Sequence, residues 1–188
     1  FAGLLLWYKL SQAGFSDVRF CEKGGDVGGT WYWNRYPGIA CDVESYSYFP
    51  LLEEMGYFPT MKFASGFEIF EYCQKLAEKF HFYDHCLFHT TVEQTAWDEG
   101  TGRWIVQTDR GDAMRARYLI YANGILTTPK LARIQGMETF QGESFHTSSC
   151  ASRGHSASLK VQLRKLHATQ AVDPQPCAMM ATSSIMVR

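Results

Sequence analysis

The run Val27-Gly28-Gly29-Thr30-Trp31-Tyr32-Trp33-Asn34-Arg35-Tyr36-Pro37-Gly38 sets two glycines and a threonine before three consecutive aromatic residues and closes on Tyr-Pro-Gly. Glycine lets the backbone approach a ligand closely, and adjacent indole and phenol rings offer flat apolar walls for a conjugated ring system. A hydrophobic core uses aromatic clusters too, but the flanking Gly-Gly and Tyr-Pro-Gly place this one on a loop. A second set lies upstream, where Gly3 opens an apolar run and Glu22 follows nineteen residues later. A glycine at a helix N-terminus with an acid about twenty residues on suits a pyrophosphate held by free amides and a ribose held by a carboxylate. The same glycine also suits close packing ahead of a core helix, and a full GxGxxG run is not present here.

The elements that must position these residues read as an α/β unit. Residues 4–13 combine strong helix formers with apolar groups on nearly every side, as in a helix packed on a sheet; Gly14 stops it, and Asp17–Glu22 follows as a strand ending on an acid. The segment 24–48 shows neither helical nor strand periodicity, and irregular stretches of that length inside compact domains are usually functional. Ser65-Gly66-Phe67-Glu68 has the form of a capping box, and Ile69, Cys73, Leu76 and Phe80 share one face, which predicts a helix over about 66–80. Leu87–Trp97 and Arg103–Thr108 read as two strands joined by the turn Asp98–Gly102, a β-hairpin. The continuous apolar run 117–122 reads as a strand buried on both faces of a parallel sheet, stopping at Asn123-Gly124.

Other clusters carry less chemistry. His81, His85 and His89 recur every four residues but straddle a helix end and a strand start, so they do not share a face and no metal site is expected. His155 and His167, among Arg153, Lys160, Arg164 and Lys165, read as a solvated basic tail and not as a nucleic-acid patch. The six cysteines have no C-x-x-C or metal-like spacing, which predicts scattered thiols in an intracellular, cytoplasmic protein.

Composition divides the 188 residues in two. Every one of the 13 Phe, 10 Tyr and 5 Trp lies at or before Phe145. Residues 1–145 carry 13 basic and 18 acidic groups, whereas 146–188 carry five and one. A formal charge of −1 and 15% aromatic residues exclude a disordered chain and a nucleic-acid binder as descriptions of the whole, and no run of 18 apolar residues suggests a membrane span. The expected organisation is a partial nucleotide-binding domain over 1–147 and a divergent, poorly ordered tail over 148–188.

Taken together, Glu22-Lys23, Gly-Gly-Thr-Trp-Tyr-Trp-Asn-Arg-Tyr-Pro-Gly at 28–38, Cys-Asp-Val-Glu-Ser at 41–45 and Tyr48 resemble the class B flavoprotein monooxygenases, most closely the Baeyer–Villiger monooxygenases. Ala122-Asn123-Gly124 is similar to that family's A-T-G-like element, and Phe140-x-Gly142-x-x-x-His146-Thr147 to the first part of its F-x-G-x-x-x-H-T-x-x-W signature, with Cys150 where the tryptophan is expected. The resemblance implies a partial Rossmann-like FAD/NAD(P)-binding fold with three layers, a parallel sheet and a β-hairpin insertion. It implies FAD and NADPH as cofactors, and a ketone and O2 as substrates, one oxygen being inserted beside the carbonyl to give an ester or lactone.

By similarity, Gly3 lies under the FAD pyrophosphate and Glu22 takes the adenosine ribose, while Thr30, Trp31 and Trp33 contact the flavin half. Asp42, Val43 and Tyr48 lie beside the isoalloxazine and ribityl chain, and Ala40, Cys41 and Asp42 lie where the nicotinamide approaches. Val92 marks a backbone contact to the adenine. In the family, an aspartate at the position of Asp42 acts in catalysis by supporting an arginine beside the flavin. The family's first strand and second nucleotide-binding unit find no match here, which predicts that this chain alone binds FAD weakly or not at all and does not turn over NADPH. An N- or S-oxidising flavoenzyme, and a non-catalytic flavin fold that binds a partner, are the alternative readings.

Overall fold

The computed structural model describes residues 1–126, 134–141 and 183–187. Helix α1 (Ala2–Gln12) buries Leu4 and Trp7, and strand β1 (Val18–Glu22) follows the Gly14 turn. Two single-turn helices, α2 (Thr30–Trp33) and α3 (Ser45–Tyr48), lie inside the stretch that has no sequence periodicity. A third, α4 (Leu52–Met55), precedes α5 (Gly66–Lys79), and a 3₁₀ turn, Phe82–His85, then leads into β2 (Cys86–Leu87). Strands β3 (Val92–Asp98), β4 (Arg103–Thr108) and β5 (Ala113–Ala116) form an antiparallel meander. Strand β6 (Tyr118–Tyr121) and β7 (Ser183–Val187) complete the first sheet, whose order is β2-β1-β7-β6.

Three layers result, because successive residues of β1 point to opposite faces. Val18 and Phe20 pack with Leu4, Trp7, Ile69, Tyr72, Cys73 and Leu76 beneath α1 and α5, whereas Cys21 packs with Val92, Val106 and Ala116 against the meander. The Trp7 indole N–H donates to the Phe80 carbonyl at 2.7 Å, tying the helices together where its ring is buried; burial of such a ring contributes about 2–3 kcal/mol. The register of β1 therefore fixes which of its residues reach the helices.

Several sequence expectations are corrected. The segment 87–97 is not one strand: Cys86 and Leu87 pair in parallel with Phe20 and Cys21, whereas Val92–Asp98 belongs to the other sheet, with His89 at φ +51° between them. The hairpin is extended by a third strand, β5, after the Gly111 turn at φ +77°. Strand β6 is not buried on both faces, since Tyr118 and Tyr121 are each 56% exposed, and its neighbour is antiparallel. That neighbour is β7, which lies between β1 and β6 and pairs antiparallel to both. The β1–β2 pair is the parallel ladder among the described residues.

The capping box is half formed. Ser65 Oγ accepts from the Glu68 amide at 3.2 Å, but the Glu68 carboxylate turns away to accept from the Tyr57 hydroxyl (2.9 Å), the Thr60 amide (2.8 Å) and the Thr60 hydroxyl (2.7 Å). Three donors satisfy a carboxylate better than the single amide at Ser65 would. Gly142, His146, Thr147, Cys150, His155 and His167, which entered the sequence argument, lie outside the described residues.

Candidate functional site

The Ala2, Gly3 and Leu4 amides precede the first bond within α1, from the Leu5 N–H to the Phe1 carbonyl at 2.9 Å. No side chain caps this end and no acid lies in its first turn, so its amides and positive dipole end present themselves to the cleft beside them. At the far end of β1, Glu22 is buried and its Oε1 accepts from the Gly24 amide at 2.7 Å. Between these two points lies a cleft of about 340 Å³, lined by Gly3, Glu22, Gly28, Thr30, Trp31 and Tyr48 among others. Five residues singled out from the sequence, Gly3, Glu22, Thr30, Trp31 and Tyr48, thus meet around one cavity.

The glycine loop is held from behind by Asp26. Its carboxylate accepts from the Val27 amide (2.7 Å), the Gln74 amide (2.7 Å) and the Tyr83 hydroxyl (2.8 Å), so α5 and the 3₁₀ turn anchor the loop. Gly28 has φ +115°, and a Cβ there would come within 2.7 Å of the Phe70 ring. Trp31 and Tyr48 form an adjoining wall. Burial pushes the Tyr48 hydroxyl above its ordinary range, against the hydrogen bond it accepts from Trp31.

Cys21 and Cys86 also line the cleft, on neighbouring strands. Burial, with Asp112 next in importance, pushes the Cys21 thiol up to about 12, and burial and Glu22 push Cys86 higher still. Both stay protonated at neutral pH, so the cleft is not a site of thiolate chemistry. Among the described residues no cluster of His, Cys, Asp or Glu could hold a metal ion.

The remaining sequence candidates are placed differently. Trp33 ends α2 with its ring edge-on to Tyr32 at 5.0 Å, and its indole N–H is buried without a hydrogen-bond partner among the described residues. Cys41 is buried, held by its amide to the Ala64 carbonyl at 2.9 Å, while Asp42 and Val43 are exposed on the following turn. Ala40 lines a second cavity, on the far side of Trp31. Val92 packs in the core beneath the meander and is not part of the cleft wall.

Two contributors have no role that the sequence assigns. Asn34 donates to the Thr30 carbonyl (2.9 Å) and to the Leu126 carbonyl (3.0 Å), joining the aromatic loop to the segment that leaves β6, a contact across 92 positions. Asn123 and Gly124, met in sequence as the end of a strand and as part of an A-T-G-like element, also line the cleft. The donor set suits a dinucleotide: helix amides for a pyrophosphate, a carboxylate for a ribose, and glycines and rings for a flat ring system.

No protein-family model matches the chain. It is 55% identical over 147 residues to neopentalenolactone D synthase from Streptomyces avermitilis, covering 78% of this chain and 25% of that protein. It is 53% identical over 148 residues to a Baeyer-Villiger monooxygenase from Streptomyces coelicolor, covering 79% and 24%. The crystal structure of OTEMO in complex with FAD and NADP superposes with a TM-score of 0.70 at 36% identity, covering 83% of this chain and 30% of that one. The chain spans about a quarter of the length of the curated relatives it matches.

Proposed function

Because the chain belongs, over the 147 residues that align, to the Baeyer–Villiger monooxygenase family, we propose that its cleft holds FAD and serves an NADPH-using monooxygenase that inserts one oxygen of O2 beside a ketone carbonyl. The observation that carries this reading is the convergence of the uncapped α1 N-terminus, Glu22, the Gly28-Gly29 loop and the Trp31–Tyr48 wall on one cleft. The residues present fit the cofactor. The α1 amides at Ala2 and Gly3, the Glu22 carboxylate and the Gly28-Gly29 backbone line one cleft, a donor and acceptor set that suits a pyrophosphate and a ribose.

The chemistry that FAD supplies when bound is hydride acceptance from NADPH and activation of O2. In this reading the protein's own residues bind and orient the cofactor. The α1 amides at Ala2, Gly3 and Leu4 would hold the pyrophosphate, and the buried Glu22 carboxylate would accept from the ribose hydroxyls. Thr30, Trp31 and Tyr48 would orient the flavin half, with Trp31 excluding water from its side of the cleft, while Trp33 braces the wall edge-on to Tyr32. Asp42, exposed beside Tyr48, is the carboxylate available to steady a cation next to the reacting centre, with Ala40, Cys41 and Val43 bordering the nicotinamide approach. The four described cysteines are free, which supports a cytoplasmic setting, and no described helix is long and apolar enough to cross a membrane.

A segment exchange tests the proposal. Residues 1–126 of this chain replace the matching segment of the Streptomyces coelicolor relative, and products of a cyclic ketone are followed with NADPH consumption. A flavin-loaded chimera that forms the lactone supports the reading. A folded chimera without flavin contradicts it, and N- or S-oxide as the sole product reassigns the chemistry.

A further inference from the structure

The glycine loop between β1 and α2 is tied to the body of the protein at two points. The first tie is backbone: the His89 amide donates to the Gly24 carbonyl at 3.0 Å, just beyond Glu22. The second is the Asp26 carboxylate, just ahead of Gly28. Its Oδ1 accepts from the Tyr83 hydroxyl at 2.8 Å and the Val27 amide at 2.7 Å, and its Oδ2 from the Gln74 side-chain amide at 2.7 Å. The first tie therefore serves the Glu22 end of the cleft and the second the Gly28-Gly29 end. Tyr83 stands in the 3₁₀ turn Phe82–His85, which lies between His81 at φ +57° and His89 at φ +51°. Histidine adopts that left-handed region at a cost, so the packing around the turn fixes its path.

Burial, and then the bond to Asp26, pushes the Tyr83 hydroxyl above its ordinary range, so it stays a neutral donor at physiological pH. On the α5 side of the loop, a Cβ at Gly28 would meet the Phe70 ring at 2.7 Å. The backbone there already rests on α5 and has no room to move back, so a loop released from Asp26 shifts into the cleft. We infer that Tyr83 is a positioning residue: through Asp26 it sets where the Gly28-Gly29 backbone meets the flavin half of the cofactor. Neither Tyr83 nor Asp26 lines the cleft, so both act through the loop and not by touching the cofactor. The inference rests on the flavin reading and deepens it. It also separates two ligands, because adenosine diphosphate needs only the α1 amides and Glu22, whereas FAD needs Gly28-Gly29 as well.

The test titrates the full chain with FAD and, separately, with adenosine diphosphate, for the wild type, Tyr83→Phe, Asp26→Leu and Asp26→Asn. Tyr83→Phe should weaken FAD about fivefold, the loss of one hydrogen bond to a carboxylate, and leave adenosine diphosphate unchanged. Asp26→Leu should weaken FAD about tenfold or more. Asp26→Asn should restore most of that loss, since its amide oxygen still accepts from Tyr83 and Val27 and the Gln74 amide can turn to meet its nitrogen. Hydrogen exchange without nucleotide gives a second readout. In Tyr83→Phe the Trp31 amide, bonded to the Gly28 carbonyl at 3.0 Å, should exchange about fivefold faster, while the Ile69 amide in α5 keeps its rate. Equal losses of FAD and adenosine diphosphate, FAD binding indifferent to Tyr83→Phe, no recovery in Asp26→Asn, or an unchanged Trp31 exchange rate would each overturn the inference and leave the flavin reading standing. A wild type that binds no FAD would overturn both.

Discussion

The indole N–H of Trp31 donates to the Tyr48 hydroxyl at 2.9 Å, with the two rings edge-on at 5.9 Å and 87°. The bond joins α2 to α3 across 17 positions and makes one wall from two residues that the sequence set far apart. Tyr48→Phe removes the acceptor and leaves a buried indole N–H without a partner, which costs about 1–3 kcal/mol. Urea unfolding of Tyr48→Phe, Trp31→Phe and the double variant measures it. The double variant should lose less than the sum of the singles, because the first substitution already breaks the shared bond.

Gly28 and Gly29 are expected to differ although they are neighbours. Alanine at 28 needs φ +115° and brings its Cβ within 2.7 Å of Phe70, whereas alanine at 29 meets none of the described residues within 4 Å but must hold φ +52° with ψ −113°, outside the left-handed well. Gly28→Ala should cost about 3 kcal/mol or more, from strain and clash together, and Gly29→Ala about 1–2 kcal/mol from strain alone. Thermal unfolding of the two variants decides the order, and equal losses would place the loop elsewhere.

Stability should fall at both ends of the pH scale through the Tyr57–Glu68 pair. Burial opposes ionisation of Glu68, but bonds from Thr60 and Tyr57 overcome it and hold the carboxyl below its ordinary value. A carboxyl lowered by folding stabilises above its unfolded pKa and loses that contribution as pH falls through the folded one, so melting temperature drops below about pH 4.5. Burial and the bond to Glu68 push Tyr57 up to about 12. The fold holds that phenol neutral, so its contribution is complete below pH 10 and is lost between 10 and about 12. Glu68→Gln should flatten the acid limb of a melting temperature profile, and Tyr57→Phe the alkaline limb.

Loss of the Ser65 hydroxyl isolates the half of the capping box that forms. Ser65→Ala should cost about 1 kcal/mol and Ser65→Gly only a few tenths. Glu68→Ala should cost more than Ser65→Ala, because its carboxylate satisfies three donors of the 57–60 loop as well. Chemical denaturation of the three variants checks this ranking.

Local signals in the sequence matched what they govern. The Ser65 cap and the Ile69, Cys73, Leu76 spacing marked α5 to within a residue of its observed end, and Asp98–Gly102 marked the β3–β4 turn. Gly3, Glu22 and the Gly-Gly-aromatic run were legible because glycines and acids at helix and strand ends act through nearby backbone. What failed was long-range. Nothing within 87–97 shows that Leu87 pairs with Cys21 while Val92 joins another sheet, since both parts have the same apolar alternation. The apolar run 118–121 looked buried on both sides, yet β7, more than sixty positions away, is its neighbour and its tyrosines face outward. The Asn34–Leu126 bond and the Asp26 anchor depend on which elements meet, and one residue type alone does not reveal that.

The most direct test of the central claim is titration of the chain with FAD, followed by flavin fluorescence anisotropy, for the wild type, Glu22→Gln and Gly28→Val. The account predicts weak, saturable, one-to-one binding that adenosine diphosphate competes away, with Glu22→Gln lowering affinity about tenfold by exchanging the anionic ribose acceptor for a weaker neutral one, and Gly28→Val lowering it at least as much by driving a side chain into Phe70 and displacing the loop that lines the cleft. Binding that does not saturate, or saturable binding that both substitutions leave unchanged, would contradict it.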